Sequence, residues 1–451
     1  MMMTKKLPSV ETNHFVRVML IGFIMLLLQI PIGLLHGVIY EREQSKDQAV
    51  SEVTSKWGER QALVGPVIVV PYKKMEREKQ DDGKIVYVPV TDYAIFLPDE
   101  LDVHANVTSH TRYRGIYDIP VYQSEITVKG SFGKLDFSDW DISDTDIFWN
   151  KAKVSIQISD VQALISASPL RWGHHELELA PGSHQPESPG VHTKLTQNML
   201  GSPKTEFSFE MVLNGSQYFS VAPVGSTTNF TMDSNWPDPS FQGEWLPREK
   251  VSVTDAGFNA HWSVSLLGRN YPKRWTGVAT HEHALNTSQL GVRFLPPIDQ
   301  YHMAFRSVKY ELLFLVFVFM TLWLFEILSG IQIHSIQYVM VGVAMCLFYL
   351  LELSLAEHLG FVWAYTIAAT MVCCLISGYC HAVLQTRGRA MVVGGVLSLL
   401  YGFLYMLLVN QGYALLAGSL GLFGALAVVM YLTRNVEWSS PSERLSGLEQ
   451  T

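Results

Sequence analysis

Residues 15–38 read FVRVMLIGFIMLLLQIPIGLLHGV, and this run decides the class of the molecule. A helix needs about 20 mostly apolar residues to cross the hydrocarbon of a bilayer. Only Arg17, Gln29, Pro31 and His36 interrupt the run, and Lys5, Lys6 and Arg17 flank its start. A cleaved signal peptide would have a shorter apolar core and a small-residue cleavage site. This run passes directly into Ile39-Tyr40-Glu41-Arg42, so it is expected to remain as a signal anchor. Working outward, apolar runs return only at 312–328, 336–355, 360–379, 391–409 and 413–432. The expectation is a membrane α-helical bundle of six transmembrane helices with short connections.

Lysine and arginine set the expected orientation. With residues 1–14 in the cytoplasm, the loop carrying Arg387 and Arg389 falls on the same side, as does the 433–451 tail with Arg434 and Arg444. The opposite loops, 356–359 and 410–412, hold no Lys or Arg. Residues 41–309 then lie outside the cytoplasm, as a periplasmic domain if the host is a bacterium with an inner membrane. Charged residues make up 16% of the chain, against about 25% in a typical soluble protein. The net charge is −8 and no basic run stands out, so a nucleic-acid partner is not expected. All four cysteines (Cys346, Cys373, Cys374, Cys380) lie in the apolar C-terminal third. The exported segment therefore has no disulfide available and must fold on an apolar core.

That segment carries 26 basic and 33 acidic residues and reads as β-rich. Leu63 to Pro71 is a β-branched run bounded by prolines. Phe207, Phe209, Met211 and Leu213 alternate with polar neighbours, as do Trp262, Val264 and Leu266. Residues 85–90, 126–128 and 154–158 are further candidate strands, and 43–56 is the one helical stripe. The expected fold is all-β, a sandwich or distorted barrel, in one unit or two. Residues 168–202, rich in Pro, Gly, Ser and His, read as a long loop or a break between two halves.

Glu326 is the first candidate functional residue. At about 1.5 Å per residue it falls roughly 21 Å into a span about 30 Å deep, where a carboxylate faces the bundle interior or water. It reads as a proton- or ligand-linked acid, or as a structural acid bonded across the turn to His334. Glu352 is expected near the outer end of its span, relieved by tilt or snorkelling, and Glu357-His358 as a solvated turn. Trp236, Pro237 and Phe241 read as a recognition loop, or as a rigid turn capping the β core. His281 and His283 would share one face of a strand, and His174-His175 are adjacent, but neither cluster has further ligands at useful spacing. No metal, cofactor or catalytic group is expected, and no phosphate-binding loop suggests a nucleotide. The C-terminal spans show no inverted repeat and no pair of broken helices. Gly394-Gly395, Gly418, Gly421 and Gly424 read as close helix contacts.

A longer series of residues points to a family. It comprises Trp57-Gly58, Gln61 to Pro66 with Val70-Pro71-Tyr72, Arg114 to Tyr117, Ser234 to Pro237 with Pro239-Ser240-Phe241, Leu246-Pro247, Gly257-Phe258 and Ala260-His261-Trp262. The membrane half adds Phe325-Glu326, His334, Gln337-Tyr338, Leu347 to Leu351, Glu357-His358, Gly360-Phe361, and Leu432 to Asn435 with Trp438. In this order and with these spans the chain resembles the CreD family of bacterial inner-membrane proteins over almost its whole length. The resemblance implies a role in cell-envelope integrity and stress response, with effects on colicin tolerance and β-lactam responses. It brings no defined reaction, ligand or catalytic residue. The expectation is a non-enzymatic envelope protein whose exported domain binds or senses a periplasmic protein or glycan, with the lipid bilayer as its other partner. The alternatives are a transporter or channel built on the C-terminal helices, and an envelope-acting enzyme.

Overall fold

The computed structural model describes residues 14–79, 81, 85–184, 188–248, 251–278, 280–294, 299–329 and 332–434. Lys5, Lys6, Asn435, Trp438 and Arg444 lie outside them. The chain divides into two compact units: Ser45–Pro297, and the two flanks on either side of it.

The first apolar run and the 43–56 stripe form one helix, α1 (His14–Trp57). Two short helices follow within the β unit, α2 (Gln197–Leu200) and α3 (Glu282–Thr287). The remaining helices belong to the other unit: α4 (Gln300–Lys309), α5 (Glu311–Ser329), α6 (Ser335–Leu359), α7 (Phe361–Leu384), α8 (Arg387–Val409) and α9 (Ala414–Thr433). Five of these (α1, α6, α7, α8 and α9) are long and apolar enough to cross a membrane. Helices α4 and α5 pass that test only as a pair, bent by 45°. The sequence reading placed a span at 312–328, which is α5, and left 300–309, which is α4, in the exported domain. The break falls at Tyr310, whose amide donates back to the carbonyls of Ser307 and Val308 and closes the last turn of α4.

The β unit contains two nine-stranded sheets, both open and both mixed. The centre of the first is Gln61–Lys79, which pairs antiparallel with Ile85–Phe96 and Lys153–Ile158 and parallel with Tyr218–Val221. The centre of the second is Glu100–Arg114, antiparallel to Tyr117–Gly133 and parallel to Thr227–Ser234. Because neither sheet closes on itself, the barrel alternative does not apply. Period-two alternation turns Leu101, Val103, Ala105 and Val107 inward from one strand and Phe207, Phe209, Met211 and Leu213 from another. These side chains join Ile68, Val69 and Val70 of the first sheet in a single apolar cluster, so the sheets form one unit. Burying each large side chain contributes about 1.5–3 kcal/mol, enough to hold a domain without disulfides.

Residues 168–202 are not a break. They supply Leu170–Trp172 and His175–Leu177 to the edge of the second sheet, and Ala180–Pro181 and Gly190–Lys194 to the edge of the first. Trp172 lies in the core, stacked near Phe207. Glycine and proline were read as loop signals, but edge strands this short tolerate both.

The end of α1 is anchored to the second sheet by Ala49, Val53 and Trp57, spaced four residues apart and packed on Ile119 and Val121. The Trp57 indole donates to the Tyr122 carbonyl at 3.2 Å, and Arg112 lies over its ring. Gly58 makes the exit from the helix at φ +148°, where a Cβ would strike the Asn214 carbonyl and the Ala163 side chain. Only glycine fits both the dihedral and the space. Replacing Gly58 with Ala is therefore expected to destabilise the β unit by about 1–3 kcal/mol. Thermal unfolding of the full chain in detergent reads this as a lowered transition, and an unchanged transition would contradict it.

Candidate functional site

Within the helical unit the polar side chains form a series between the helices. At one end Arg17, near the start of α1, donates from Nη2 to Glu326 Oε1 of α5 at 2.7 Å, and from Nη1 to the Ile333 carbonyl at 2.7 Å. The Tyr338 hydroxyl of α6 donates to the other Glu326 oxygen at 3.4 Å. The Arg17 and Glu326 side chains are only 14% and 12% exposed. His334, the residue considered as a partner for Glu326, has an exposed side chain and opens α6, its amide donating to Gln337 Oε1 at 2.8 Å. The paired arginine comes from a helix some 300 positions away, which sequence spacing alone cannot reveal.

Three more carboxylates continue the series. Glu311, the first residue of α5, accepts from the Gln29 amide of α1 at 3.1 Å. Glu352 of α6 accepts from the Ser307 hydroxyl of α4 at 2.8 Å. Glu357 accepts from the Tyr301 hydroxyl at 3.0 Å and lies 3.7 Å from Arg42. Glu352 is 1% exposed. It is not relieved by snorkelling as expected, because the bend between α4 and α5 brings Ser307 against it. Glu357 is not a solvated turn residue, since its side chain is 8% exposed. Sequence reasoning missed Glu311 by one position and took Gln29 for a mere interruption. A polar residue in mid-span was the available signal.

The packing around this series is tight. A Cβ on Gly342 would meet Leu28 of α1 and Phe319 of α5, so three helices converge there. Phe348, Tyr365 and Tyr401 cluster between α6, α7 and α8, with the Tyr365 hydroxyl on the Tyr401 carbonyl at 2.6 Å. Of the glycines read as helix contacts, Gly394 faces Ser377 and Gly421 faces Phe403, whereas Gly395, Gly418 and Gly424 have open space.

In the β unit, Trp236 is half-buried against the core, with Phe294 edge-on at 6.3 Å and its indole donating to the Asp238 carbonyl at 2.9 Å. Phe241 packs edge-on against Phe258 and Trp262, while Pro237 is exposed. His281 and His283 are not strand neighbours. His281 caps α3 and its ring lies against Trp275. Among the described residues no group of three or more His, Cys, Asp or Glu could hold a metal ion. The space lined by His184, Trp275 and Glu282 has a volume of about 10 Å³, at the lower limit for one water.

A cleft that sequence reasoning passed over lies along 134–149. It has a volume of about 810 Å³ and is lined by Asp136, Asp141, Asp144, Trp149 and Gln197, among others. That volume is within the range of small-molecule sites. The Ser138 backbone amide and hydroxyl, with Arg274, hold the Asp136 carboxyl down at about 2. Arg274 is 2.7 Å from Asp136, also bonds Asp139, and lies over the Trp140 ring. Asp141 and Asp144 are exposed at the mouth with no ion-pair partner among the described residues. The signal was there in the sequence: five aspartates and two tryptophans between 136 and 149.

A family model described as inner membrane protein CreD matches residues 13–439. The inner membrane protein CreD of Escherichia coli (strain K12) is 31% identical over 420 residues, which is 93% of this chain and 92% of the relative.

His184 gives a pH test of the β unit. Burial, with Lys153 nearby, pushes its imidazole down from 6.5 to about 4, so between those values the unfolded chain binds a proton that the folded one refuses. Stability contributed by neutral His184 is complete above about 6.5 and is lost as pH falls toward 4, by up to about 3 kcal/mol. Replacing His184 with Gln is expected to flatten the melting-temperature profile across that window, and a profile as steep as wild type would contradict this.

Proposed function

The chain belongs to the CreD family of inner membrane proteins, and we propose that it supports cell-envelope integrity by binding an envelope component through the cleft along residues 134–149. In this reading α4 and α5 together make one broken span, giving six. Both chain termini face the cytoplasm, and the mixed-sheet unit faces the periplasm. The chain catalyses no reaction; it anchors a binding domain and links it to the stress response and colicin tolerance that the family resemblance implies.

The cleft is the observation that carries this reading. Its lining presents Asp141 and Asp144 beside the Trp149 indole and the Gln197 amide, with Lys134 as the one cation among the lining residues. Such a surface suits a partner with cationic or hydrogen-bond-donating groups on an apolar body, as in an envelope protein segment or an amino-sugar glycan. An acidic domain does not suit broad adhesion to anionic lipid. The Trp236 turn is a weaker candidate, because its indole hydrogen bond is already satisfied within the turn.

Asp144→Lys combined with Gln197→Ala changes exposed side chains at the cleft without touching the core. In a bacterium lacking its own copy, this variant is expected to reach wild-type levels in the membrane. It is expected to lose most of the protection against colicin and detergent, in line with an interface weakened about tenfold or more. Full protection at equal protein levels would overturn the reading.

A further inference from the structure

Of the four carboxylates between the helices, two have a counter-charge: Glu326 with Arg17 and Glu357 with Arg42. Glu311 and Glu352 have none among the described residues, although each is 1% exposed. Each uses one oxygen to accept from a neutral donor, Gln29 or Ser307. The other oxygen, Oε1 in both cases, is buried with no hydrogen-bond partner among the described residues. The basic residues nearest in sequence are engaged elsewhere: Arg306 donates to the carbonyls of Leu407 and Leu408, and Lys309 lies over the Phe305 ring. Around Glu311 the other titratable groups are Cys346 and Tyr349 of α6. Around Glu352 they are Tyr349, Tyr365 of α7 and Tyr401 of α8. Tyr349 is within electrostatic reach of both acids.

An ionised carboxylate buried without a partner charge is very costly, and a neutral carboxyl group is not. Both acids are tied to the bend at Tyr310: Ser307, the donor to Glu352 of α6, is on its α4 side, and Glu311 is on its α5 side. A broken helix at membrane depth is tolerated only where it is buried in protein or lines a water-filled cavity.

We propose that Glu311 and Glu352 are proton-binding sites of the helical unit, loaded when the α4–α5 bend is closed as seen here and emptied when it opens to water. Loading adds one proton to Oε1 of each carboxylate, and emptying returns it to water, so no other reactant takes part. The bundle thereby acquires a proton-linked conformational step that is independent of the cleft.

The test is infrared difference spectroscopy of the full chain in lipid vesicles, stepped in pH. A protonated-carboxyl carbonyl band, separate from the ionised-carboxylate bands, is expected to persist at about pH 6.5, where exposed glutamates are ionised. It should shift when the protein is made with carbon-13-labelled glutamate and shift again on transfer to deuterated buffer. Glu311→Gln and Glu352→Gln should each remove about half of it, and Glu326→Gln should leave it intact. If either variant fails to fold, the labelled wild-type chain still decides. No glutamate-dependent protonated band at about pH 6.5, where exposed glutamates are ionised, overturns the proposal, as does a band at that pH that survives both substitutions.

Discussion

An ionisable side chain among apolar helices must be paired, bonded or neutral, and that constraint orders the helical unit. Arg17 enters the bundle at the start of α1 and is met there by Glu326 and the Ile333 carbonyl, with the Tyr338 hydroxyl on Glu326. These contacts fix α1 against α5 and α6 at one end. Arg42, Tyr301 and Glu357 fix α1, α4 and α6 at the other. Between them Gly342 lets three helices approach closely. In lipid, where apolar burial does not draw helices together, such polar and close-packed contacts must do so. The outward faces can then be greasy, as Phe23, Leu26, Trp363 and Leu415 are.

The β unit obeys a different constraint. Strands such as Glu100–Arg114 and Lys204–Ser216 alternate because water is on one side and the shared core on the other, whereas the first part of Gln61–Lys79 is buried nearly throughout, and the edge strands are short. The boundary between the two regimes falls within α1, whose first part is apolar all round and whose last turns carry one apolar stripe. That switch also explains why a single helix spans what the sequence divides into an anchor and a separate stripe.

Much of this was legible in the sequence. The apolar runs placed α1 and α6–α9 by length and composition, and period-two alternation placed Lys204–Ser216 and Gly257–Ser265. What escaped depended on contacts between distant residues. The arginine facing Glu326, the serine facing Glu352 and the glutamine facing Glu311 each come from another helix, and a run of hydropathy does not say which faces meet. The bend at Tyr310 escaped because glycine and proline, the usual markers of a break, are absent from 299–329. The cleft escaped because its aspartates lie in irregular chain around short 3₁₀ turns, which has no periodicity to read.

The arrangement of the helices depends on whether Arg17 and Glu326 hold each other inside the bundle. A double-mutant cycle on the full chain in mixed micelles measures this directly, with unfolding followed by helical signal. Removing either charge alone, as Arg17→Met or Glu326→Leu, is expected to cost about 3–5 kcal/mol, because the other is left buried and unpaired. Replacing both with apolar residues, Arg17→Met with Glu326→Leu, should cost far less than the sum. Two small, additive losses would contradict the pairing and with it the arrangement of helices built on it.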